Sequence, residues 1–375
     1  MKQLFFSLLA VAAMASCSKS ELAIRPVEGD DVKIMASSKA YGIGDIDVTT
    51  RTPFEGAIAA DNELKARVLT TTTDMNYKGT LYADGTMTFT AVKTDETPNN
   101  KPYDTTDFTG TYFYPTNGST IYLCGIYPAD LALNTISYSS DGDDVTSYVT
   151  ATITGCEDFM LAPQVSSTKA QALAKTYPNL AFVHMLTKLT INVKAENEYA
   201  HDAWGKIEKI TVKEVNSKIQ VDLGRAVPYT STRTNAYTEP VEFKTYIIDQ
   251  DADPKVATDD AFESQAYELE FDVPADPEVE GSEDKVVDPV AIAYSIVCPV
   301  TATADAAAYT LIVKTEKIDD PIEVPVYLKK DGVAVTGSTA AKKFDVNLTF
   351  KATVIEATAT VTEWEDGGSA EETIE

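Results

Sequence analysis

The chain has 375 residues, with 58 acidic side chains against 31 basic ones and a formal net charge of −27. So acidic a surface repels the phosphates of nucleic acid and of anionic lipid, and excludes both as partners held by bare charge. Apolar residues make up 44% of the chain, enough for sizeable cores, and the length fits two domains of about 100 to 200 residues each.

The chain opens with Lys2, an apolar run from Leu4 to Met14, and then Ala15-Ser16-Cys17. A charged start, a short apolar stretch and small residues before a cut point make an export signal, residues 1–16. The run is shorter than the roughly 20 residues a helix needs to cross a bilayer. Cys17 directly after small residues resembles a bacterial lipobox, cut before the cysteine, whose thiol and new amino group then take acyl chains. Met14 stands where Leu is commoner, and ordinary secretion with an incidental Cys17 is the alternative. On either reading the protein leaves the cytoplasm. No second apolar stretch approaches a membrane span, so membrane attachment is expected through lipid on Cys17.

Residues 17–51 form a mixed segment with two weak apolar pairs at strand spacing, Val32 with Ile34 and Ile46 with Val48. Thr49 to Gly56 breaks the pattern with Pro53 and Gly56. Leu81 to Met87 reads as a hairpin turning at Asp84-Gly85, the pair that supplies a tight turn's positive φ. Strands follow at Thr111 to Tyr114, Thr120 to Tyr127 and Tyr148 to Ile153. A short helix is expected from Thr168 to Tyr177, capped by Ser166 and Ser167 and stopped by Pro178. Leu180 to Val193 reads as one strand whose apolar parity switches near Thr187, which implies a bulge or bend. The polar stretch Ala195 to Asp202 is the expected boundary between domains 52–197 and 198–375.

The second half continues in strands, at Lys209 to Val215, Ile219 to Leu223, Ala266 to Val273, Val290 to Val300, Tyr309 to Lys314 and Ile322 to Leu328. Phe344, Val346, Leu348 and Phe350 alternate with polar residues, as in an antiparallel sheet with one wet face. Acidic loops lie between strands, at Asp249 to Asp260 and Asp276 to Asp288. Many short strands with few helices predict an all-β chain of two sandwiches.

Little in the sequence points to chemistry. There are two histidines. His184 shares a strand face with Phe182 and Leu186 and reads as a hydrogen-bonded core residue, and His201 reads as a solvated linker residue. So few histidines, and no cysteine pair at ligand spacing, argue against a transition metal. After Cys17, three cysteines remain, Cys124, Cys156 and Cys298. They read as buried apolar residues, with a Cys124–Cys156 pair as the alternative. Asp141 to Asp144 and Asp249 to Asp253 carry oxygen ligands but lack the full calcium-loop spacing, so solvated loops are favoured. Neither a GxSxG elbow nor a phosphate-cradling glycine loop occurs. No enzyme and no cofactor is expected.

Several pieces together resemble the fimbrillin family of Bacteroidetes type V pilus subunits. They are Met14-Ala15-Ser16-Cys17, Thr50-Arg51-Thr52, CEDFMLAP (Cys156 to Pro163), LAFVHMLTKLTINV (Leu180 to Val193) and ATVTEW (Ala359 to Trp364). The resemblance implies two tandem transthyretin-like β-sandwich domains with Greek-key-type antiparallel sheets, and a structural function in adhesion. It implies export as an outer-membrane lipoprotein anchored through acylated Cys17. A trypsin-like surface protease then cuts between Arg51 and Thr52, with Arg25 before Pro26 as the poorer site. The cut releases a strand within Asp31 to Thr50 that carries Val32, Ile34, Ile46 and Val48. A strand from another pilin subunit fills the groove, and a surface fimbria grows. A donor strand of its own is expected in Ala352 to Thr362; if that stretch is instead part of the C-terminal sandwich, a tip or accessory subunit is expected. The competing reading is a lipid-anchored surface glycan-binding protein, against which two tryptophans argue mildly.

Overall fold

The structure is a computed structural model. It describes residues 32–40, 63–75, 81–90, 105–106, 112–130, 133–141, 144–225, 227–228, 237–251, 256–273, 285–330 and 332–363.

The strands run in chain order as follows. The first nine are β1 (Ser37–Ala40), β2 (Glu63–Thr71), β3 (Leu81–Thr90), β4 (Thr105–Thr106), β5 (Ile121–Tyr127), β6 (Leu133–Asp141), β7 (Asp144–Thr152), β8 (Met160–Ser167) and β9 (Asn179–His184). Then come β10 (Thr187–Ala195), β11 (Ile207–Asp222), β12 (Val227–Pro228), β13 (Tyr237–Lys244), β14 (Tyr246–Asp249), β15 (Val256–Ala261) and β16 (Val290–Val297). The last are β17 (Thr301–Ala302), β18 (Tyr309–Thr315), β19 (Ile322–Val326), β20 (Leu328–Lys330), β21 (Val333–Ala334), β22 (Gly337–Ser338), β23 (Lys342–Phe350) and β24 (Ile355–Glu363). The described helices are α1 (Lys169–Leu173), α2 (Glu198–Trp204) and one 3-10 turn, Phe262–Ser264.

Three large sheets carry the fold. The first orders β1-β9-β8-β5-β2-β3-β4 and the second β15-β14-β16-β10-β23-β24-β20-β21. The third orders β19-β18-β11-β7-β6, with β12 and β13 also on β11. The protein is all-β, as its alternation predicts. In β23 the inward residues Phe344, Val346, Leu348 and Phe350 are fully buried. The strand lies parallel to β10 from Thr187↔Lys342 to Ala195↔Phe350.

Two apolar cores result. One lies within the first sheet and gathers residues between Ile34 and Phe182. The other runs from Leu69 to Ala359, between the second and third sheets and against the outer face of the first. The first sheet is therefore buried on both faces in its middle strands. On β5, Leu123 belongs to the first core, and Cys124 and Ile126 to the second.

Several local expectations are corrected. Asp84-Gly85 is no turn: β3 runs straight through it, with Asp84 opposite Leu69 and Gly85 opposite Val68. The Asp84 carboxylate instead accepts two hydrogen bonds from the Arg67 guanidinium on β2, at 2.7 and 2.6 Å. Helix α1 is capped by Thr168, whose side chain and Gln171 form a reciprocal capping box, rather than by the serines before it. Leu180 to Val193 is two strands, not one bent one. β9 lies in the first sheet and β10 in the second, and the chain crosses between them at Met185-Leu186. Lys209 to Asp222 lies in one strand, β11, with a bulge between Val212 and Val215 where Glu214 takes φ 50°, and Leu223 falls in the turn after it. Of the expected strand Thr111 to Tyr114, the described residues Tyr112 to Tyr114 make an isolated bridge at Phe113, and Ala266 to Val273 likewise makes isolated bridges only.

The polar segment at the expected domain boundary is helix α2, with Asn197 as its N-cap and Ala200 and Trp204 buried. Pairings cross that boundary. The β6–β7 hairpin from before it joins β11 from after it, and β10 sits between β16 and β23. Expected donor segment Ala352 to Thr362 supplies β24, paired with β23 from Phe350↔Ile355 to Lys342↔Glu363.

Candidate strand-exchange groove

The first sheet curls on itself. Phe89 on β3 and Phe182 on β9 stand at opposite ends of the run β9-β8-β5-β2-β3, yet their rings meet edge-to-face with centroids 6.1 Å apart. The curl brings Leu64, Met87, Phe89, Leu123, Met160, Leu180 and Phe182 onto one core. It also leaves an opening between β9 and the far edge of the sheet. Residues 32–40 lie along that opening.

This segment is held on two sides. Its second half, β1, lies parallel to β9 at the sheet edge, from Ser37↔Asn179 to Ala40↔Phe182. Its first half lies antiparallel to Tyr112–Tyr114. The Ile34 N–H donates to the Tyr112 carbonyl, and the Tyr114 N–H donates to the Val32 carbonyl, both at 2.9 Å. The Tyr112–Tyr114 rail is itself fixed. Tyr82 Oη donates to the Phe113 carbonyl at 2.8 Å, Tyr112 Oη donates to the Asp84 carbonyl at 3.0 Å, and Tyr114 Oη shares a hydrogen bond with Ser167 Oγ at 2.7 Å.

Side chains on the segment alternate. Ile34 is 3% exposed and Ala36 1%, and Val32 packs partly buried against the same core. Lys33 between them is exposed. Burying one Ile is worth about 1.5 to 3 kcal/mol, and a four-residue parallel strand at a sheet edge adds few hydrogen bonds. The segment is thus apolar enough to seal the opening and short enough to leave it.

Beneath the groove, the CEDFMLAP and LAFVHM stretches are stitched together. Met160 pairs with His184 and Leu161 with Val183, and the Met185 N–H donates to the Phe159 carbonyl at 2.9 Å. His184 is buried, as its strand parity predicts, and its Nδ1 lies 2.8 Å from Oδ1 of the fully buried Asp158. Glu157, also buried, accepts from the Thr154 N–H and hydroxyl at 2.7 Å and from the Gly155 N–H at 3.3 Å. Gly155 sits at φ +118°, where a side chain would be strained. Both carboxylates therefore fix a tight corner, where the chain leaves β7 for β8.

His201 is partly exposed and sits on a helix rather than in a linker. It lies on α2 with Nδ1 3.1 Å from Asp202 and Nε2 3.2 Å from Glu268, its ring beside Phe271. No disulfide joins Cys124 to Cys156, and both are buried, as is Cys298. Burial pushes the Cys124 thiol up to about 12 and raises that of Cys298 as well, so neither is a ready nucleophile. Among the described residues, no group of three or more His, Cys, Asp or Glu is placed to hold a metal ion. No described helix is long and apolar enough to cross a membrane.

The sequence profile of the fimbrillin-like family matches residues 50–364. The chain belongs to the fimbrillin-like family. It is accordingly a pilin subunit, and fimbriae are surface appendages built from such subunits. Among solved structures, this fimbrillin-like chain is similar to a proposed cell adhesion protein from Bacteroides uniformis, at 16% identity and TM-score 0.49, over 91% of this chain and 100% of that one. It is similar to a fimbrial protein from Bacteroides vulgatus, at 12% identity and TM-score 0.42, over 88% and 99%. It is also similar to the tip fimbrial protein Mfa3 from Porphyromonas gingivalis with C-terminal truncation, at 9% and TM-score 0.35, over 81% and 95%. No curated protein matches it in sequence.

Of the residues expected to serve strand exchange in this fimbrillin-like chain, Val32 and Ile34 lie together on the segment that fills the groove, packed on its core. Ile46, Val48, Arg51, Thr52 and the lipidation candidate Cys17 lie outside the described residues. The sequence reading missed Ala36 and the Tyr112–Tyr114 rail. Ala36 carries the same parity as Val32 and Ile34, a signal that a three-residue pattern would have caught. The rail pairs residues nearly eighty positions apart, which no local pattern announces.

Proposed function

We propose that this pilin is exported as a lipoprotein acylated at Cys17, is cut between Arg51 and Thr52 by a trypsin-like surface protease, and polymerises by strand exchange into an adhesive outer-membrane fimbria. Its work is structural and not enzymatic. The observation that carries the reading is residues 32–40, an N-terminal segment that seals a curled sheet from its edge. A cut after Arg51 would sever that segment from β2 onward. Its loss would expose the backbone of β9 and the apolar faces around Phe89 and Phe182, a template for a strand from another subunit.

The test expresses the chain from Ser18 as wild type and as Arg51→Ala, treats both with trypsin, and compares ladders on gels without boiling and filaments by electron microscopy. Filaments from the cut wild type alone are the expected result. Equal polymerisation of Arg51→Ala, or a dominant cut inside a core strand, overturns the activation step. For the anchor, palmitate labelling is expected in the wild-type precursor and absent from Cys17→Ala; labelling that persists in the variant overturns it.

A further inference from the structure

The groove described above does more than wait for any apolar strand. Its occupant makes two kinds of backbone contact in sequence: antiparallel to Tyr112–Tyr114 at Val32 and Ile34, then parallel to β9 from Ser37 to Ala40. Its inward side chains are two branched residues, Val32 and Ile34, followed by the small Ala36. The last of these is a methyl group at 1% exposure within a core of large side chains, and packed interiors resist even one extra methylene.

Resting on the strand-release reading, we propose that the groove selects its incoming strand by a size code, branched–x–branched–x–small, in which only alanine or glycine is accepted at the position of Ala36. The occupant is an extended strand from a neighbouring subunit. It enters antiparallel to Tyr112–Tyr114 and continues parallel to β9. Within this chain, Ile355-Glu356-Ala357 repeats the Ile-x-Ala spacing, but polar Thr353 stands where Val32 does. The backbone of β24 is moreover paired with β23 along its whole length. That makes the strand of another subunit, rather than β24, the occupant the groove is built for.

The experiment uses the full chain from Ser18, cut after Arg51 with an arginine-specific protease and then quenched. A fluorescent peptide of residues 32–40 is added in excess, and bound label is read by anisotropy. The wild-type peptide is expected to bind the cut protein and not the uncut one. Ala36→Gly in the peptide is expected to bind within a few-fold, and Ala36→Leu about tenfold or more weakly. Ile34→Asp should abolish binding, because a carboxylate would enter an apolar core. N-methylation of the Ile34 amide should weaken binding several-fold, since its donor to Tyr112 is lost. Met35→Leu should change nothing. If Ala36→Leu binds as well as wild type, the size code is wrong while strand release stands. If N-methylation is without effect, the Tyr112–Tyr114 rail is no part of recognition. If the wild-type peptide fails to bind the cut protein at all, strand release itself fails.

Discussion

The two cores of this pilin are closed in opposite ways. The first is wrapped by a single curled sheet, and a short segment, residues 32–40, seals its seam from the edge. The second is woven: β10 lies between β16 and β23, and β11 pairs with β18, β7 and β13 along its sixteen residues. It also holds a buried polar knot. There Thr187 Oγ1 donates to the Thr339 carbonyl at 2.8 Å, the Val300 N–H donates to Thr339 Oγ1 at 2.9 Å, and Tyr309 Oη shares a bond with Thr339 Oγ1 at 2.9 Å. The woven core's central strands β10, β11, β16 and β23 cannot leave without breaking pairings on both of their sides. The seam of the wrapped core opens by releasing one short segment, residues 32–40, from β9 and from Tyr112–Tyr114. A subunit that exchanges a strand, as proposed above, and also bears load would use both kinds of closure.

That contrast breaks if the woven core does not set global stability. Leu348→Ala, at a fully buried position of β23, is expected to cost about 3 to 5 kcal/mol and to shift the whole unfolding transition in urea. A variant in which the first sheet keeps wild-type amide protection while the second melts would overturn it.

The wrapped core is probed at Gly125 on β5. A Cβ there would lie 2.5 Å from Phe182 Cζ, inside the ring's van der Waals surface. Gly125→Ala should therefore cost about 1 to 3 kcal/mol by overpacking. Hydrogen exchange should show faster opening of β5 and β9 with β23 unchanged; equal loosening of both would show that the cores are not separable.

His184 sits just before the chain crosses between sheets, so it reports on the junction. His184→Ala removes the bond to buried Asp158 and is expected to cost about 2 kcal/mol, lowering the melting temperature. Stability unchanged from wild type would mean that the stitch between β8 and β9 contributes nothing.

The smallest effect concerns Lys188 on β10, whose ammonium lies 5.9 Å from the Tyr294 ring centroid. Burial first, and then Lys343, hold it well below the usual lysine range, partly offset by Asp345. Unfolded, the side chain titrates near ~10.4. Between the lowered folded value and that figure the unfolded chain binds more protons, so this group makes stability rise with pH. Lys188→Met should flatten that rise and add about 1 kcal/mol at neutral pH. Urea midpoints at pH 7 and pH 10 measure both; a slope equal to wild type would place the titration elsewhere.

Strand positions were legible wherever one face is wet, because alternation then writes burial into the sequence. Phe344 to Phe350 and Tyr309 to Lys314 are where period-two reading puts them. The parity switch at Thr187 was legible as a change of face, and His184 as a core residue. Asp84-Gly85 misled because turn chemistry is a local preference, and a two-point bond to Arg67 on the neighbouring strand outweighs it. What the parity switch meant, two strands in two sheets, was not in the stretch itself, since a bulge and a sheet crossing give the same pattern. Nor did any window of sequence place Val32, Ile34 and Ala36 against Tyr112–Tyr114, or bring Phe89 to Phe182. Local composition dictates which residues go inside; the curl of a sheet, set by all its strands at once, decides which distant edges meet and therefore where the seam lies.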